Sequence, residues 1–229
     1  MAKGIRVAEV PQREKLPRHE GASLREGGQG HSGLTARSRC WLDVAVKRYD
    51  IVVFDLDGTL IDSDEALVLP FLSLGMARED ITFGHPIEEF CAAVGIDLDE
   101  YVRLYDTDVV VPFDGATELV AGLERWAVCS NKHPVSGRAE LLRLGWTPEV
   151  AMFSDAFGGA AKQLGPVLAA VDVPPDRALF VGDTAHDARC AEIAGCDFVW
   201  AGWNLRTAAA SPDGRVLTDP RQILDLLVA

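Results

Sequence analysis

Short runs of apolar residues recur along the chain and alternate with longer amphipathic segments. The apolar runs span residues 51–54, 126–129, 178–181 and 198–200. Because polar and apolar positions do not alternate within these runs, they are typical of strands that are buried on both faces, as in a parallel sheet covered by helices. The hydrophobic pattern therefore predicts four buried strands.

The segments between these runs have the spacing of helices. They span residues 117–125, 136–144, 166–171 and 185–194. Gly145 and Gly195 directly follow two of them, and a glycine just past the last helical residue is a common stop signal. Strands that alternate with helices in this way predict an α/β fold, with right-handed connections and helices on the faces of a parallel sheet.

Residues 62–112 interrupt this alternation. Helical patterns, with no clear strand among them, span residues 64–76, 86–94 and 98–105. We therefore expect a small helical cap, inserted after the first strand and lying over one end of the sheet. The remaining residues, 47–61 and 113–229, would form the catalytic core.

Charge divides the chain into two unequal parts. Residues 1–48 contain ten Lys and Arg against five Asp and Glu, and the remainder contains 12 against 30, which together give a net charge of −13. The first forty residues are rich in Gly, Arg, Glu and Ser and have no helical or strand periodicity. A segment of such low hydrophobicity cannot offset the entropic cost of ordering, so we expect residues 1–46 to be a disordered basic tail.

The composition disfavours several classes of protein. An acidic balance argues against nucleic acid or an anionic membrane as the main partner. No apolar run approaches the roughly 18 to 20 residues that a membrane-spanning helix needs, and the amino terminus lacks the apolar segment of a secretory signal. The five cysteines form no CxxC pair. We therefore expect a cytoplasmic protein with reduced, mostly buried thiols.

Polar residues follow three of the predicted strands. Asp55 and Asp57 follow the first, Ser130 follows the second, and Asp183 follows the third. Ligands of open α/β sheets bind at the carboxyl ends of the strands, so these side chains are expected to share one crevice. Asp187 lies four residues after Asp183 and would share its face if a helix begins there.

Four carboxylates in one crevice require either a raised pKa or a bound cation. Oxygen-only ligands favour Mg²⁺ over zinc, which prefers His and Cys. A carboxylate beside Mg²⁺ is well placed to attack an electrophile and form an aspartyl intermediate. A second carboxyl group two residues away could protonate the leaving group and later activate water.

These segments resemble the four motifs of the haloacid dehalogenase (HAD) superfamily in its phosphatase form. In chain order, the matching segments are Asp55-Leu56-Asp57-Gly58-Thr59-Leu60, Ser130-Asn131-Lys132, Lys162 and Gly182-Asp183-Thr184-Ala185-His186-Asp187. The resemblance covers about residues 49–205, and residues 130–133 and 200–204 are similar to phosphoglycolate phosphatase-like members. It implies a Rossmann-like parallel sheet with a small helical cap of the C1 type.

The resemblance also implies roles for the four aspartates. Asp55 would be the nucleophile and Asp57 the general acid and base. Mg²⁺ would be held by Asp55, by the backbone carbonyl of Asp57 and by Asp183. Asp187 would bind the metal through water or would hold Lys162.

The transferring phosphoryl group would be bound by Ser130, Asn131 and Lys162, with Asn131 contributing its backbone N–H. After Lys47 the chain contains only two lysines, so Lys132 is the second candidate for the phosphate clamp. Many relatives carry proline directly after the third-motif lysine, whereas Gln163 follows it here. The local loop is therefore expected to differ from theirs.

The expected activity is Mg²⁺-dependent hydrolysis of a small phosphorylated metabolite through an aspartyl-phosphate, by a monomer or a homodimer. Dehalogenase-type members lack the second aspartate of the first motif, so Asp57 indicates phosphate esters. A phosphomutase of β-phosphoglucomutase type and a non-catalytic binding module remain alternatives. In the cap, Thr82, His85 and Arg103 are candidates for substrate contacts, and Arg103 could bind a substrate carboxylate.

Overall fold

The computed structural model describes residues 48–158 and 160–227. The tail that we predict to be disordered, residues 1–46, lies outside the described residues. Within the described part of the chain, no helix is both long and apolar enough to cross a membrane.

Strands and helices alternate through most of this range. The strands are β1 (Ile51–Phe54), β2 (Ile61–Asp62), β3 (Val111–Pro112), β4 (Trp126–Cys129), β5 (Val150–Met152), β6 (Ala178–Gly182), β7 (Asp197–Ala201) and β8 (Val216–Leu217). The α-helices are α1 (Asp64–Ser73), α2 (Ile87–Val94), α3 (Leu98–Leu104), α4 (Ala116–Gly122), α5 (Pro134–Leu144), α6 (Leu164–Val171), α7 (Ala185–Ala194) and α8 (Leu205–Ala210).

The main sheet has six parallel strands in the order β5-β4-β1-β6-β7-β8. Strand β1 lies between β4 and β6, with Val52 opposite both Trp126 and Leu179. All residues of β1, β4 and β6 are buried. The carboxyl ends of these three central strands therefore lie side by side at one edge of the sheet.

Alternate residues of β1 pack into two separate hydrophobic clusters. Val52 and Phe54 belong to a cluster that includes Leu119 of α4, whereas Ile51 and Val53 belong to one that includes Leu168 of α6. Because successive side chains of a strand point to opposite faces, the two clusters cover the two faces of the sheet. This is the predicted α/β architecture.

Two edge strands of the main sheet are missing from the sequence prediction. Strand β5 has three partly exposed residues, and β8 has only two residues. Neither forms a continuous buried run, so the pattern that identifies the central strands does not identify them.

Helices α1, α2 and α3 lie in the segment that we predict to be a cap. The antiparallel pair β2–β3 joins Ile61 to Pro112 and so brings the two ends of this segment together. Phe71 of α1 packs against Phe90 of α2 and Tyr101 of α3, with ring centroids 5.2 and 4.5 Å apart. Helix α1 ends three residues earlier than predicted, just before the positive φ of +90° at Gly75.

Candidate active site

The carboxyl edge of the sheet opens into a cavity of about 630 Å³, including its mouth. Six of the seven predicted site residues line it: Asp55, Asp57, Ser130, Asn131, Lys162 and Asp183. The seventh, Asp187, is fully buried directly behind Lys162. The structure therefore brings together residues that lie as many as 132 positions apart in the sequence.

Lys162 lies between two buried carboxylates. Its Nζ atom is 2.9 Å from Oδ1 of Asp55 and 2.5 Å from Oδ1 of Asp187. The Lys162 side chain is 2% exposed, so the surrounding protein provides its charge compensation. Burial alone would lower the pKa of Lys162, but the charges of Asp187 and Asp55 outweigh it and raise the pKa above the usual lysine value.

The carboxyl group of Asp55 has a pKa of about 6, against an ordinary value of 3.8. Loss of hydration on burial raises the pKa, and the charge of Lys162 opposes this only in part. Burial and the nearby charge of Asp187 also raise the pKa of Asp183. The neighbouring cations, Lys162 and Arg206, therefore compensate the negative charge of Asp55 and Asp183 only in part.

Asp187 closes the amino-terminal turn of α7. Its Oδ2 atom accepts hydrogen bonds from the backbone N–H and the hydroxyl of Thr184, at 2.8 and 2.6 Å. The hydroxyl of Thr184 in turn accepts from the backbone N–H of Asp187, which completes a reciprocal helix cap. The local helix start thus fixes the carboxylate that holds Lys162.

The carboxylates fit a hard divalent cation. Oxygens of Asp55, Asp183 and Asp187 all lie within 4.8 Å of one another, and all three residues are buried. Gly58 leaves room beside them, because a Cβ atom there would lie 2.3 Å from Oδ2 of Asp183. An oxygen-only donor set with uncompensated negative charge suits Mg²⁺.

Asp57 projects from the same loop toward a second lysine. Its Oδ1 atom accepts hydrogen bonds from the hydroxyl of Ser63 and from Nζ of Lys132, both at 2.6 Å. The side chain of Asp57 is 16% exposed, so it faces the cavity, while Lys132 is almost completely buried. Lys132 therefore positions the predicted acid and base, whereas Lys162 stands beside the predicted nucleophile.

Lys132 also connects Asp57 to a buried network that the sequence analysis did not find. Its Nζ atom lies 3.1 Å from Oε1 of Glu140 on α5 and 2.7 Å from the hydroxyl of Tyr105, which follows α3. Burial raises the pKa of Glu140 to about 7. The only sequence signal for Glu140 is its place on the inward stripe of α5 with Ser136 and Gly137.

Ser130 and Asn131 follow β4 directly. The hydroxyl of Ser130 accepts from the backbone N–H of Lys132 at 3.3 Å. The amide of Asn131 donates to the backbone carbonyl of Gly84 at 2.8 Å and accepts from the backbone N–H of Lys162 at 2.7 Å. Asn131 therefore ties the loop that carries Lys162 to the loop that precedes α2.

Arg206 of α8 is a third cation in the cavity wall and was not predicted. Its guanidinium lies 2.6 Å from Oδ2 of Asp183 and 3.0 Å from both carboxylate oxygens of Asp64 on α1. It also lies over the ring of Phe83, 4.3 Å from the centroid. Arg206 thus links the core to the helical insertion, and a lone arginine shortly after Asn204 gives no sequence signal for this role.

One expectation for the insertion is wrong. Thr82 and His85 line the cavity as expected, but Arg103 does not. Arg103 lies on α3 with its side chain 68% exposed, and it pairs with Glu100 at 3.3 Å. The helical spacing of α3 turns Tyr101 inward and Arg103 outward, so Arg103 is not available to a ligand in the cavity.

The fold and the site define an α/β protein with a cluster of buried aspartates and a lysine at the carboxyl edge of its parallel sheet. The model of the haloacid dehalogenase-like hydrolase family matches residues 52–201. The chain belongs to this family. The predicted superfamily is thereby confirmed, and the parallel six-stranded sheet confirms the predicted α/β fold.

Relatives with assigned names support a phosphatase. The chain is 28% identical to a phosphoglycolate phosphatase from Xylella fastidiosa, over 70% of this chain and 83% of the relative. It is 26% identical to an N-acetylmuramic acid 6-phosphate phosphatase from Pseudomonas aeruginosa, over 79% and 95%. The prediction of a phosphatase-type enzyme of this family is confirmed at that level.

Other similar proteins include one with a different assigned activity and one with a solved structure. A protein from Mycobacterium tuberculosis named tyrosine-protein kinase PtkA is 29% identical, over 69% of this chain and 64% of the relative. A solved structure of a hydrolase from Pseudomonas syringae superposes with a TM-score of 0.65 at 18% identity, covering 80% of this chain and all of that chain. At that identity the structural likeness shows the fold alone.

Proposed function

We propose that the protein is a Mg²⁺-dependent phosphomonoester hydrolase that acts on a small phosphorylated metabolite through an aspartyl-phosphate on Asp55. The observation that carries the proposal is the placement of Asp55 at the end of β1. There it faces the cavity, beside Lys162 and the other buried carboxylates. A nucleophile, a cation and an acid are the groups that phosphoryl transfer needs.

In the first half of the reaction, an oxygen of the Asp55 carboxylate attacks the phosphorus of the ester. A bond forms between this oxygen and phosphorus while the bond to the leaving-group oxygen breaks. Protonated Asp57 gives its proton to that oxygen, which leaves as an alcohol. Lys162 reaches the phosphoryl oxygens from its position beside Asp55 and offsets their negative charge, while Asp187 holds its ammonium group in place.

In the second half, ionised Asp57 accepts a proton from a water molecule. The oxygen of that water attacks the phosphorus, and the bond between phosphorus and Asp55 breaks. Phosphate leaves, and Asp55 returns as a carboxylate with Asp57 protonated again. Ser63 and Lys132 hold the Asp57 side chain toward the cavity throughout.

Asp55, Asp183 and Asp187, with the backbone carbonyl of Asp57, would hold Mg²⁺. When bound, the metal would supply the positive charge that the buried carboxylates lack and would orient the phosphoryl group. The surrounding chain supports this assignment, because Thr59 and Thr207 hold Asp183 through its carboxylate and its backbone carbonyl.

The helical segment between β2 and β3 would be the cap that closes over the substrate, with residues 62–112 as its proposed extent. Most of the relatives with assigned names are phosphatases and support hydrolysis, whereas the relative named tyrosine-protein kinase PtkA carries the name of a transfer reaction. A cytoplasmic location, a disordered tail over residues 1–46 and the oligomeric state stay predictions.

The test is phosphate release from a panel of phosphomonoesters, with Mg²⁺ and with EDTA, for the native protein and Asp55→Asn. Asparagine keeps the shape of the side chain but cannot form the acyl phosphate. We expect metal-dependent release that falls by at least about a thousandfold in Asp55→Asn. Asp62→Asn on β2 lies outside the cavity wall and should keep native activity.

Two results would contradict this mechanism. Full activity in Asp55→Asn would mean that another group is the nucleophile. No phosphate release from any ester would favour the alternatives, and isomerisation of a sugar phosphate would then distinguish a phosphomutase from a non-catalytic binding module.

A further inference from the structure

The two walls of the cavity differ in chemistry. The core wall carries the carboxylates and lysines described above. The wall formed by the helical insertion is mostly apolar, and its main side chains are Leu67, Phe71, Ile81, Ile87, Phe90 and Tyr101. A phosphoryl group bound at Asp55 and Lys162 would direct the rest of its ester toward this apolar wall.

The aromatic side chains of this apolar wall pack closely against one another. The ring of Phe90 lies edge-on to Phe71 at 5.2 Å and stacks on His85 at 5.9 Å with an interplanar angle of 8°. Phe71 and Tyr101 are each 2% exposed, so they form the floor beneath the partly exposed Phe90 and Ile87. A preformed apolar surface favours an apolar ligand, because little side-chain entropy is lost on binding.

The insertion offers no lysine or arginine to the cavity. Among the described residues that line it, the ionisable side chains from residues 62–112 are Asp64, His85 and Tyr101. Arg103, the cation that a substrate carboxylate would need, points to solvent and pairs with Glu100. A second anionic group on the substrate would therefore meet no lysine or arginine on this wall.

The cations of the core wall are already shared between carboxylates. Lys162 contacts Asp55 and Asp187, while Lys132 contacts Asp57 and Glu140. Arg206 contacts Asp64 and Asp183 in the same way, which completes the set of lysines and arginines that line the cavity. A substrate carboxylate would have to compete with one of these ion pairs, of which those of Lys162 and Lys132 are almost fully buried and those of Arg206 are about a third exposed on the arginine side. Breaking a buried pair carries a desolvation penalty.

From these observations we infer that the leaving group of the substrate is uncharged and hydrophobic, so that the enzyme prefers phosphate monoesters of apolar alcohols to anionic esters such as 2-phosphoglycolate. The inference rests on the proposed phosphatase function and specifies its substrate class. The inferred substrate class differs from the substrate in the name phosphoglycolate phosphatase, which some of the relatives carry. Ile87 and Phe90 are the residues that contact the apolar group.

The first test compares kcat/KM for propyl phosphate, hexyl phosphate and 2-phosphoglycolate with Mg²⁺ present. Each methylene buried against the apolar wall should raise kcat/KM by roughly fourfold. We therefore expect hexyl phosphate to exceed propyl phosphate by at least about tenfold, and 2-phosphoglycolate to be the poorest of the three. A kcat/KM for 2-phosphoglycolate above that of hexyl phosphate would overturn the inference and leave the phosphatase function intact.

A second test introduces a lysine, and so a positive charge, on the apolar wall. Ile87→Lys, and Thr82→Lys at an exposed position that tolerates lysine, should each raise the ratio of kcat/KM for 2-phosphoglycolate to that for hexyl phosphate by about tenfold or more. Ala93→Lys makes the same change in net charge on the exposed side of α2, outside the cavity wall, and should leave this ratio unchanged.

The outcomes distinguish the two levels of the proposal. An unchanged ratio in both cavity variants, with thermal melting showing that they are folded, would mean that the apolar wall does not contact the leaving group and would overturn the inference. Absence of Mg²⁺-dependent hydrolysis of all three esters and of the wider panel would instead overturn the phosphatase function itself.

Discussion

Two buried lysines organise the charged residues of the site, and each joins a residue of the first-motif loop to a carboxylate on a helix. Lys162 joins Asp55 to Asp187, and Lys132 joins Asp57 to Glu140. A buried charge that loses its partner costs several kcal/mol, whereas a pair removed together costs much less. The proposed nucleophile and the proposed acid are thus held by separate ion-pair networks.

The network around Lys132 can be tested with a double-mutant cycle. Lys132→Met leaves the buried carboxylate of Glu140 with the hydroxyl of Tyr105 but without its charged partner, so we expect a loss of about 3 kcal/mol in the free energy of unfolding at pH 8. Lys132→Met combined with Glu140→Gln should lose much less than the sum of the two single variants. Strictly additive losses in urea unfolding would show that the two groups do not interact.

Gly58 has both a conformational and a steric reason to be glycine. Its φ of +72° lies in the left-handed region, and a Cβ atom would come 2.3 Å from Oδ2 of Asp183. Backbone strain alone would lower the free energy of unfolding of Gly58→Ala by roughly 1 to 2 kcal/mol. The steric conflict should make the loss larger, and the variant should also lose activity. Gly75 has a φ of +90°, but a Cβ atom there would have nothing within 4 Å. Gly75→Ala should therefore lose stability and keep its activity.

Similar activity in these two glycine variants, measured by phosphate release, would contradict a steric role for Gly58 beside Asp183. Similar losses of stability in urea unfolding would likewise show that Asp183 moves aside without cost.

At the scale of residues, the sequence predicted the acidic cluster and its partner Lys162, but not Glu140 or Arg206. Asp55 and Asp183 follow buried strands that a simple apolar pattern identifies, and the order of parallel strands then brings them together. The partners of Glu140 and Arg206 depend on which faces of α5 and α8 turn inward. Those contacts span as many as 142 positions, so no local pattern encodes them.

Among the elements, buried strands and capped helices were the easiest to predict. Strands β1 and β4 have the predicted bounds, and α7 begins and ends where its Thr184 cap and the αL conformation of Gly195 require. Edge strands β5 and β8 were missed because sheet pairing defines them rather than their own hydrophobicity. Pairing with a neighbouring strand determines where such strands lie, and the local pattern of a single sequence does not show that pairing.

Two helical glycines should respond differently to alanine. A Cβ at Gly137 of α5 would lie 2.3 Å from Cε1 of Phe153, whereas a Cβ at Gly165 of α6 would have nothing within 4 Å apart from its chain neighbours. Alanine favours the helix, but Pro166 directly follows and disfavours the helical conformation of a preceding residue that carries a Cβ, so Gly165→Ala should change the free energy of unfolding by less than about 0.5 kcal/mol. Gly137→Ala should lower it by about 1 to 3 kcal/mol, because the ring of Phe153 must move.

Urea unfolding of both glycine variants measures these effects. A stabilised Gly137→Ala would mean that α5 does not pack as closely on Phe153 as the structure shows. A Gly165→Ala variant as strongly destabilised as Gly137→Ala would contradict the open surroundings of that position.

For the molecule as a whole, folding buries more negative than positive charge, and the active site holds much of the excess. The described body is acidic, and the cavity gathers four lining aspartates against two lysines and one arginine. Asp55 and Glu140 consequently bind protons more tightly in the folded protein than in the unfolded chain. The stability of the fold is thereby linked both to pH and to divalent cations.

This linkage predicts the pH dependence of stability. The pKa of Asp55 rises from 3.8 to about 6, and that of Glu140 rises from 4.5 to about 7. Between about pH 4 and pH 7 the native state therefore holds more protons than the unfolded state at these two groups. Their contribution to the free energy of unfolding is complete at low pH and decreases as the pH rises through this range.

Glu140→Gln removes one of the two groups, so with EDTA present its free energy of unfolding should fall less steeply between pH 4 and pH 7 than that of the native protein. Glu192→Gln, an exposed residue of α7, is the matched control and should follow the native slope. Equal slopes for the native protein and Glu140→Gln in urea titrations would contradict the raised pKa of Glu140.

Mg²⁺ should reverse this loss of stability near neutral pH. Metal binding requires ionised carboxylates, so protons compete with Mg²⁺ at low pH and the metal should stabilise the protein more at pH 8 than at pH 5. At a concentration one hundred times its Kd the gain would be about 3 kcal/mol. Asp183→Asn removes one ligand and should abolish most of the increase in Tm. A larger increase in Tm at pH 5 than at pH 8, or an undiminished increase in Asp183→Asn, would mean that Mg²⁺ binds elsewhere than at this carboxylate cluster.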